Sequence, residues 1–388
     1  MLDFERKSVV LATCPKGFTP YLADEIGRLG FKVRAELPAG VEIKGSLNDC
    51  MRLNLWVRCG HRILYQLKRF TAATPDQLYE QVREMVWERI IEPDGYLTVT
   101  SSVRTETVND SRFANVRVKD AIVDRIREKS GRRPSSGPDM SGTIVFLHWR
   151  DDECTVYLDT SGIPLSRRGY RKLPHKAPLQ ETLAATLIRA SGWHGQGNFI
   201  SPMCGSGTLA IEAALIALNG APGLMREEFA FMKIPGFNPE YWENLCIEAE
   251  DRERTSLKGQ IIATDIDSEA VEAARKNARA AGVEHHIRFD VCDFRDTDIP
   301  DGGGIVMMNP EYGERLGNVT KLEKIYAGIG DFLKNKCQGY RGYIFTGNLD
   351  LAKFIGLRAS RRLVFFNAKI ECRLLEYEIF KGSARGRG

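Results

Sequence analysis

From Leu179 onward the sequence alternates helix-like and strand-like segments, and that alternation limits the fold more than any other feature. Apolar residues at a spacing of about 3.6 predict helices over 179–190, 207–219, 268–281 and 321–335. Short apolar runs predict strands at 198–201, 260–264, 286–290, 304–308 and 341–346. Strands separated by helices must be joined by crossovers, so the expected sheet is mostly parallel with helices on both faces. The chemistry of such a sheet lies beyond the carboxyl ends of its strands, which is where candidate residues are sought.

Four strand ends carry them. Asn198-Phe-Ile-Ser runs into Pro202-Met-Cys-Gly-Ser-Gly-Thr208 and then a helix. Gly205 and Gly207 let backbone N–H groups approach a ligand, and the helix start at Thr208 favours a carboxylate. There is no third glycine as in dinucleotide sites and no Gly-Lys-Ser/Thr, so NAD and ATP are poor candidates. Ile261-Ile-Ala-Thr-Asp265 ends in an acid that can accept ribose hydroxyls, although it lies 58 residues beyond Gly207. The excess is assigned to an insert over 221–258. Asp293 ends a third strand and can accept from an adenine amino group.

The fourth strand delivers Asn309-Pro310-Glu311-Tyr312-Gly313 to the same edge. This suits an amino group on a planar ring, whose lone pair is delocalised and whose nitrogen becomes tetrahedral as it reacts. The Asn309 side-chain oxygen and the Pro310 carbonyl can accept its two hydrogens, and Tyr312 can stack on the ring.

The N-terminal half reads as two small α+β units. The first has a strand over 8–13, a helix over 19–30, a strand over 41–44 and a helix over 47–56; the second has a helix from Thr74 to about 90, a strand over 96–102, a helix over 116–129 and a hairpin over 143–159. A basic Gly- and Pro-punctuated segment, Ser166 to Pro178, marks the boundary with the C-terminal domain. The six residues from Ser383 read as a disordered tail.

Charge is informative only by halves. The net charge of the 388 residues is +4, but residues 1–180 hold 29 basic against 23 acidic side chains and the remainder 26 against 28. Arg104 to Arg133 alone carries nine basic against five acidic, a candidate phosphate-facing surface or a solvated helix face. Nine scattered cysteines without a C-x-x-C pair, and histidines without ligand spacing, argue against a disulfide framework or metal site and for a reducing cytoplasm. The N-terminal segment lacks the long apolar core of a secretory signal, and no apolar run reaches the ~20 residues of a membrane span.

Several ordered motifs carry a resemblance. Pro202-Met-Cys-Gly-Ser-Gly-Thr-Leu, Asn309-Pro-x-Tyr-Gly-Glu-Arg-Leu, Arg168-Gly-Tyr-Arg and Ala177-Pro-Leu-Gln-Glu-Thr-Leu-Ala-Ala resemble the bacterial 23S ribosomal RNA guanine-N2 methyltransferases. Asn109-Asp-Ser-Arg-Phe, Val118-Lys-Asp-Ala-Ile-Val-Asp and Leu158-Asp-Thr-Ser-Gly resemble their THUMP domain and the ferredoxin-like segment before it. The resemblance implies an α/β fold: a Rossmann-like class I methyltransferase domain over 165–388, a ferredoxin-like lead-in over 1–60 and a THUMP RNA-binding domain over 61–164.

It further implies S-adenosyl-L-methionine (SAM) as cofactor. Pro202, Cys204, Gly205, Ser206, Gly207, Thr208, Glu181, Thr182, Asp265, Asp293 and Asn309 would surround it, and Asn309, Pro310 and Tyr312 would hold the guanine. Arg104, Arg112, Arg117, Lys119, Arg168 and Arg171 would meet ribosomal RNA, and a cytoplasmic monomer without metal is the expectation. This chain departs from the family at Ser201, where relatives usually carry an acid, and at Glu311, where they usually carry a second proline. Adenine-N6 methylation of DNA or RNA, and a non-catalytic RNA-binding assembly factor, remain as alternatives.

Overall fold

A computed structural model describes residues 2–108, 110–173, 179–312 and 319–380. Asn109, Ala177-Pro178, the Gly313–Leu316 part of the Asn-Pro-x-Tyr motif and the Ser383 tail lie outside the described residues. The chain divides into two compact units: 1–15, 22–165 and 226–248 in one, and 16–21, 166–225 and 249–388 in the other.

The first unit is built on β1 (Ser8–Thr13), α1 (Thr19–Arg28), β2 (Val33–Leu37), β3 (Gly40–Gly45), α2 (Leu47–Trp56), β4 (Arg62–Thr71), α3 (Pro75–Arg83), β5 (Tyr96–Arg104), α4 (Ser111–Ser130), β6 (Ser135–Ser136), β7 (Thr143–Arg150) and β8 (Glu153–Asp159). Local chemistry sets the helix ends. Ser46 and Asp49 close a capping box on α2, Thr74 caps α3 ahead of Pro75, and Asp110 caps α4, which stops at Gly131 in the left-handed region. The strands form one sheet among the described residues, in the order β2-β3-β1-β4-β8-β7-β5-β6.

β4 pairs antiparallel with β1 on one side and β8 on the other, so its hydrogen bonds join the lead-in and the following α+β segment into one sheet. The unit also takes in residues 226–248, more than half of the stretch the sequence assigns to an insert in the C-terminal domain.

The second unit holds α5 (Glu181–Ala190), β9 (Asn198–Pro202) and α6 (Thr208–Ala217). Past α7 (Pro239–Asp251), it continues with β10 (Ile261–Asp265), α8 (Ser268–Ala280), β11 (Ile287–Val291), β12 (Gly304–Met308), α9 (Val319–Lys336), β13 (Tyr340–Thr346), α10 (Leu349–Lys353), β14 (Arg361–Asn367) and β15 (Ile370–Glu378). The strand order is β11-β10-β9-β12-β13-β15-β14, with the first five parallel and β15 antiparallel. The order reverses at β9, so its carboxyl end and that of β12 open a crevice. Ile200, Ile262, Val306, Met308 and Ile344 line the sheet face under Tyr326, Ile329 and Leu333 of α9, all fully buried. The parallel half and its helices match the sequence reading; β14 and β15 are additional.

Candidate functional site

A cleft of about 350 Å³ lies at the carboxyl edge, lined by Leu179, Met203–Ser206, Thr208–Leu209, Asp265–Asp267, Asn309–Glu311, Leu322 and Ile325. Its floor is the turn between β9 and α6. Cys204 N donates to Thr264 O and Gly207 N to Cys204 O, both at 2.9 Å, which folds the turn over the end of β10. Met203, at φ +57°, holds a conformation rare for a side-chain-bearing residue. Gly207, at φ +83°, is different in kind: a Cβ there would fall 2.8 Å from the Ala274 Cβ, so its absence lets α6 approach α8. Burial, then the nearby Asp265 charge, pushes the Cys204 thiol up, so it presents a neutral sulfur rather than a nucleophile.

Asp265 is aimed by the backbone. Its Oδ2 accepts from Gly205 N at 2.9 Å and its Oδ1 from Asp267 N at 3.1 Å. A carboxylate has about four lone-pair positions, so two remain for hydroxyl donors. Ile266 beside it is 72% exposed, an apolar surface at the mouth of the cleft.

Asp293 departs from expectation. It caps the short turn Phe294–Asp296, and Arg295 holds both its oxygens, at 3.2 and 3.0 Å. It is not among the residues that line the cleft, and Arg295 N adds a third hydrogen bond, to Oδ1 at 2.9 Å, which leaves one lone-pair position of the carboxylate open.

Asn309 carries the most telling feature. Its Oδ1 is buried and, among the described residues, meets no hydrogen-bond donor. A buried orphan acceptor costs about 1–3 kcal/mol, so one retained at the rim of a cleft marks a position that a donor from a ligand can satisfy. The loop beyond it is pinned. Tyr326 OH donates to Glu311 O at 3.4 Å, and Asn367 Nδ2 donates to Tyr312 OH at 2.9 Å. Thus the change at 311 does not leave this stretch unsupported.

Tyr312 is held within this loop. Its ring packs edge-on against Phe345, with centroids 6.4 Å apart, and burial pushes its hydroxyl up to about 12. It does not line the cleft and holds the loop instead.

Two arginines expected on the RNA surface also belong elsewhere. Arg168 is buried, its Nε 3.4 Å from Glu212 Oε1, and cannot meet a phosphate. Arg171 Nε donates to Glu181 Oε1 at 3.1 Å, and its Nη2 donates to Leu179 O at 2.7 Å and to Thr208 Oγ1 at 3.4 Å. It therefore ties the start of α5 to the start of α6 behind the cleft and neutralises Glu181. Thr182 is fully buried in α5 and does not line the cleft.

In the first unit Arg104 is exposed, but Arg112 pairs with Asp110, Arg117 with Asp76 beneath a Tyr79 stacking contact, and Lys119 with Asp120. Much of the basic stretch is therefore laced by exposed pairs, which phosphates can replace at little cost.

One residue escapes a reading by motif. Asn277, 1% exposed on α8, accepts from Lys172 N and Leu173 N and donates to Leu173 O and Ser206 O. It bolts the glycine turn to the 168–173 segment. The only signal is a polar residue on the apolar face of an amphipathic helix.

With this geometry in place, the chain can be compared with known proteins. Residues 168–376 match the family described as "RMKL-like, methyltransferase domain", 10–64 the RlmL ferredoxin-like domain and 72–159 the THUMP domain. The chain belongs to the RMKL-like methyltransferase family. Among its relatives, the "Ribosomal RNA large subunit methyltransferase K/L" of Syntrophotalea carbinolica is 43% identical over 95% of this chain and 53% of its own length. The chain thus spans about half the length of the curated K/L relatives it matches. Synechocystis "Putative RNA methyltransferase slr0064" is 34% identical and is covered over 96% of its length, with 95% of this chain aligned. The crystal structure of SMU.472, "a putative methyltransferase complexed with SAH", superposes with a TM-score of 0.88 at 27% identity, over 98% of this chain and all of that one. The fold is that of the class I methyltransferases, as the family resemblance implies, and its parallel sheet is the one the alternation from Leu179 predicts. Among the described residues no cluster of side chains could hold a metal ion, and no helix is long and apolar enough to cross a membrane.

Proposed function

We propose that this chain transfers a methyl group from SAM to the exocyclic N2 of a guanine in large-subunit ribosomal RNA. The observation that carries the reading is the orphan Asn309 Oδ1 at the rim of a cleft that also presents the Asp265 carboxylate. The donor set fits the cofactor. Asp265 keeps two lone-pair positions for ribose hydroxyls, the Cys204–Thr208 turn offers backbone donors at the start of α6, and Ile266 offers an apolar face. When bound, the cofactor supplies a methyl group on a sulfonium, which is already a strong electrophile.

The protein contributes orientation and acceptors. The guanine must be unpaired or flipped out to enter. Asn309 Oδ1 would accept one amino hydrogen and the Pro310 carbonyl the other. Both acceptors would orient N2 and would strengthen as the nitrogen gains positive charge; transfer would leave the neutral thioether SAH, and N2 would lose one proton to water. Tyr326 and Asn367 would fix the loop that presents them. The relatives named for ribosomal RNA, and the THUMP match, support RNA over DNA as the substrate. Nine cysteines with no disulfide among the described residues suit a reducing cytoplasm.

Asn309→Ala tests the reading. Methyl transfer to large-subunit RNA should fall by ~10²-fold or more while SAM affinity by calorimetry stays within about threefold, since the acceptor acts chiefly in the transition state. Mass mapping of the RNA should place the methyl group on a guanine; a methylated adenine would replace this reading with the N6 alternative.

A further inference from the structure

The C-terminal half of the chain is slightly acidic overall, yet residues 358–373 hold five basic side chains against one acidic, as much net charge as the whole protein. These residues form the β14–β15 hairpin and its approach. β12 runs parallel to β13, β15 antiparallel to β13, and β14 antiparallel to β15. β14 therefore points the same way as β12, and the turn after Asn367 lies at the sheet edge that carries the cleft. The hydrogen bond from Asn367 Nδ2 to Tyr312 OH joins that turn directly to the loop that follows Asn309.

The exposed side of the hairpin is basic and apolar together. Arg362, Val364 and Phe366 alternate onto one face of β14, and Lys16 lies over the Phe366 ring, 5.4 Å from its centroid. Arg362, Val364, Lys369 and Ile370 are exposed, Ile370 by 49%. Arg361 and Arg373 are paired with Glu376 and Glu371, whereas Lys16, Arg362 and Lys369 have no carboxylate partner among the described residues. Positive charges interleaved with apolar and aromatic surface suit an unpaired nucleic-acid strand, whose phosphates take the charges while its bases meet the rings and methyl groups.

We propose that the β14–β15 hairpin, with Lys16, is the surface on which the single-stranded RNA next to the target nucleotide lies, phosphates meeting Lys16, Arg362 and Lys369. The proposal rests on the RNA reading above. β14 stands three strands from β12, about 14 Å at the usual strand spacing, beyond the target base itself and within reach of its neighbours. Through Asn367 the RNA-bearing turn and the Asn309 loop are held in one register, so strand docking and base presentation are mechanically joined.

The test uses the triple variant Lys16→Gln/Arg362→Gln/Lys369→Gln and a control with the same charge loss elsewhere, Lys276→Gln/Lys334→Gln/Lys336→Gln. The probe is a short fluorescein-labelled single-stranded RNA containing one guanine, titrated by anisotropy across salt concentrations. Three lost phosphate contacts should reduce the slope of log affinity against log salt by about 2, with a loss of affinity on the order of tenfold, while the control changes neither by as much. SAH affinity and the thermal midpoint should match the wild type in both. Equal behaviour of the two triple variants overturns the proposal, as does wild-type protein that binds no single-stranded RNA. If the hairpin variant alone loses RNA affinity but wild-type protein methylates no guanine, the docking surface stands and the guanine reading falls.

Discussion

Arg168 and Glu212 form an ion pair in the interior of the second unit, Nε to Oε1 at 3.4 Å, with side chains 1% and 0% exposed. Tyr170 OH donates to the same oxygen at 3.1 Å. Removing Arg168 leaves the Glu212 carboxylate buried without its counter-charge, which costs about 3–5 kcal/mol, whereas removing both costs less. Arg168→Ala should therefore lower the unfolding free energy in urea by that amount, and Arg168→Ala/Glu212→Ala should recover part of it. RNA affinity per folded molecule should not change. A stable Arg168→Ala variant with weakened RNA binding would return Arg168 to the phosphate-binding surface.

The two glycines of the turn make a second, paired prediction. Gly207 and Gly205 both have positive φ, +83° and +53°, but only at Gly207 would a Cβ meet an atom, Ala274 Cβ at 2.8 Å; nothing lies within 4 Å of the Gly205 position. Left-handed backbone costs a non-glycine residue about 1–2 kcal/mol, so Gly205→Ala should lose about that much. Gly207→Ala should lose more, because α6 must also move from α8, and SAH affinity by calorimetry should drop with it. Equal thermal midpoints for the two variants would remove the packing argument.

Asn277 provides the third. Replacing it by Leu keeps the volume and strands the N–H groups of Lys172 and Leu173 and the carbonyls of Leu173 and Ser206. Each unmet buried group costs about 1–3 kcal/mol, less where water enters. Asn277→Leu is expected to destabilise the protein by several kcal/mol and to weaken SAH binding. Asn277→Asp keeps the acceptor and loses the donors, so its loss should be intermediate. If both variants bind SAH like the wild type, the turn does not depend on this residue.

What the sequence shows and hides follows from where partners lie. The parallel strands are legible because apolar residues dominate them, and Pro202, Asp265 and Asn309 stand at or just past the carboxyl ends of β9, β10 and β12, where the cleft opens. β14 and β15 escape because Arg361, Arg362, Glu371 and Arg373 break the apolar pattern on a strand pair with one wet face. The fate of Arg168 depends on Glu212, 44 residues on, and that of Asn277 on backbone groups 71 to 105 residues away. No local spacing encodes either. Asp293 is the opposite case. Its partner Arg295 is two residues away, and the Asp-x-Arg pair could have been read as a self-contained cap.

Alkaline pH supplies the last prediction. Burial pushes the thiols of Cys154 and Cys337 from an ordinary 9.0 up to about 12, and Tyr326 and Tyr377 from 10.0 to about 12. In the unfolded chain these groups release protons near their ordinary values, while in the folded protein they keep them. Between about pH 9 and 12 the unfolded state therefore binds fewer protons, and the unfolding free energy falls as pH rises. The contribution is complete below about pH 9 and is lost on the way to about 12. Cys337→Ala removes one such group and pays only the packing cost at neutral pH. Its deficit relative to the wild type should therefore be larger near pH 8 than near pH 10.5 in urea denaturation. A deficit that stays constant across that interval would mean that the Cys337 thiol titrates alike in the folded and unfolded chains.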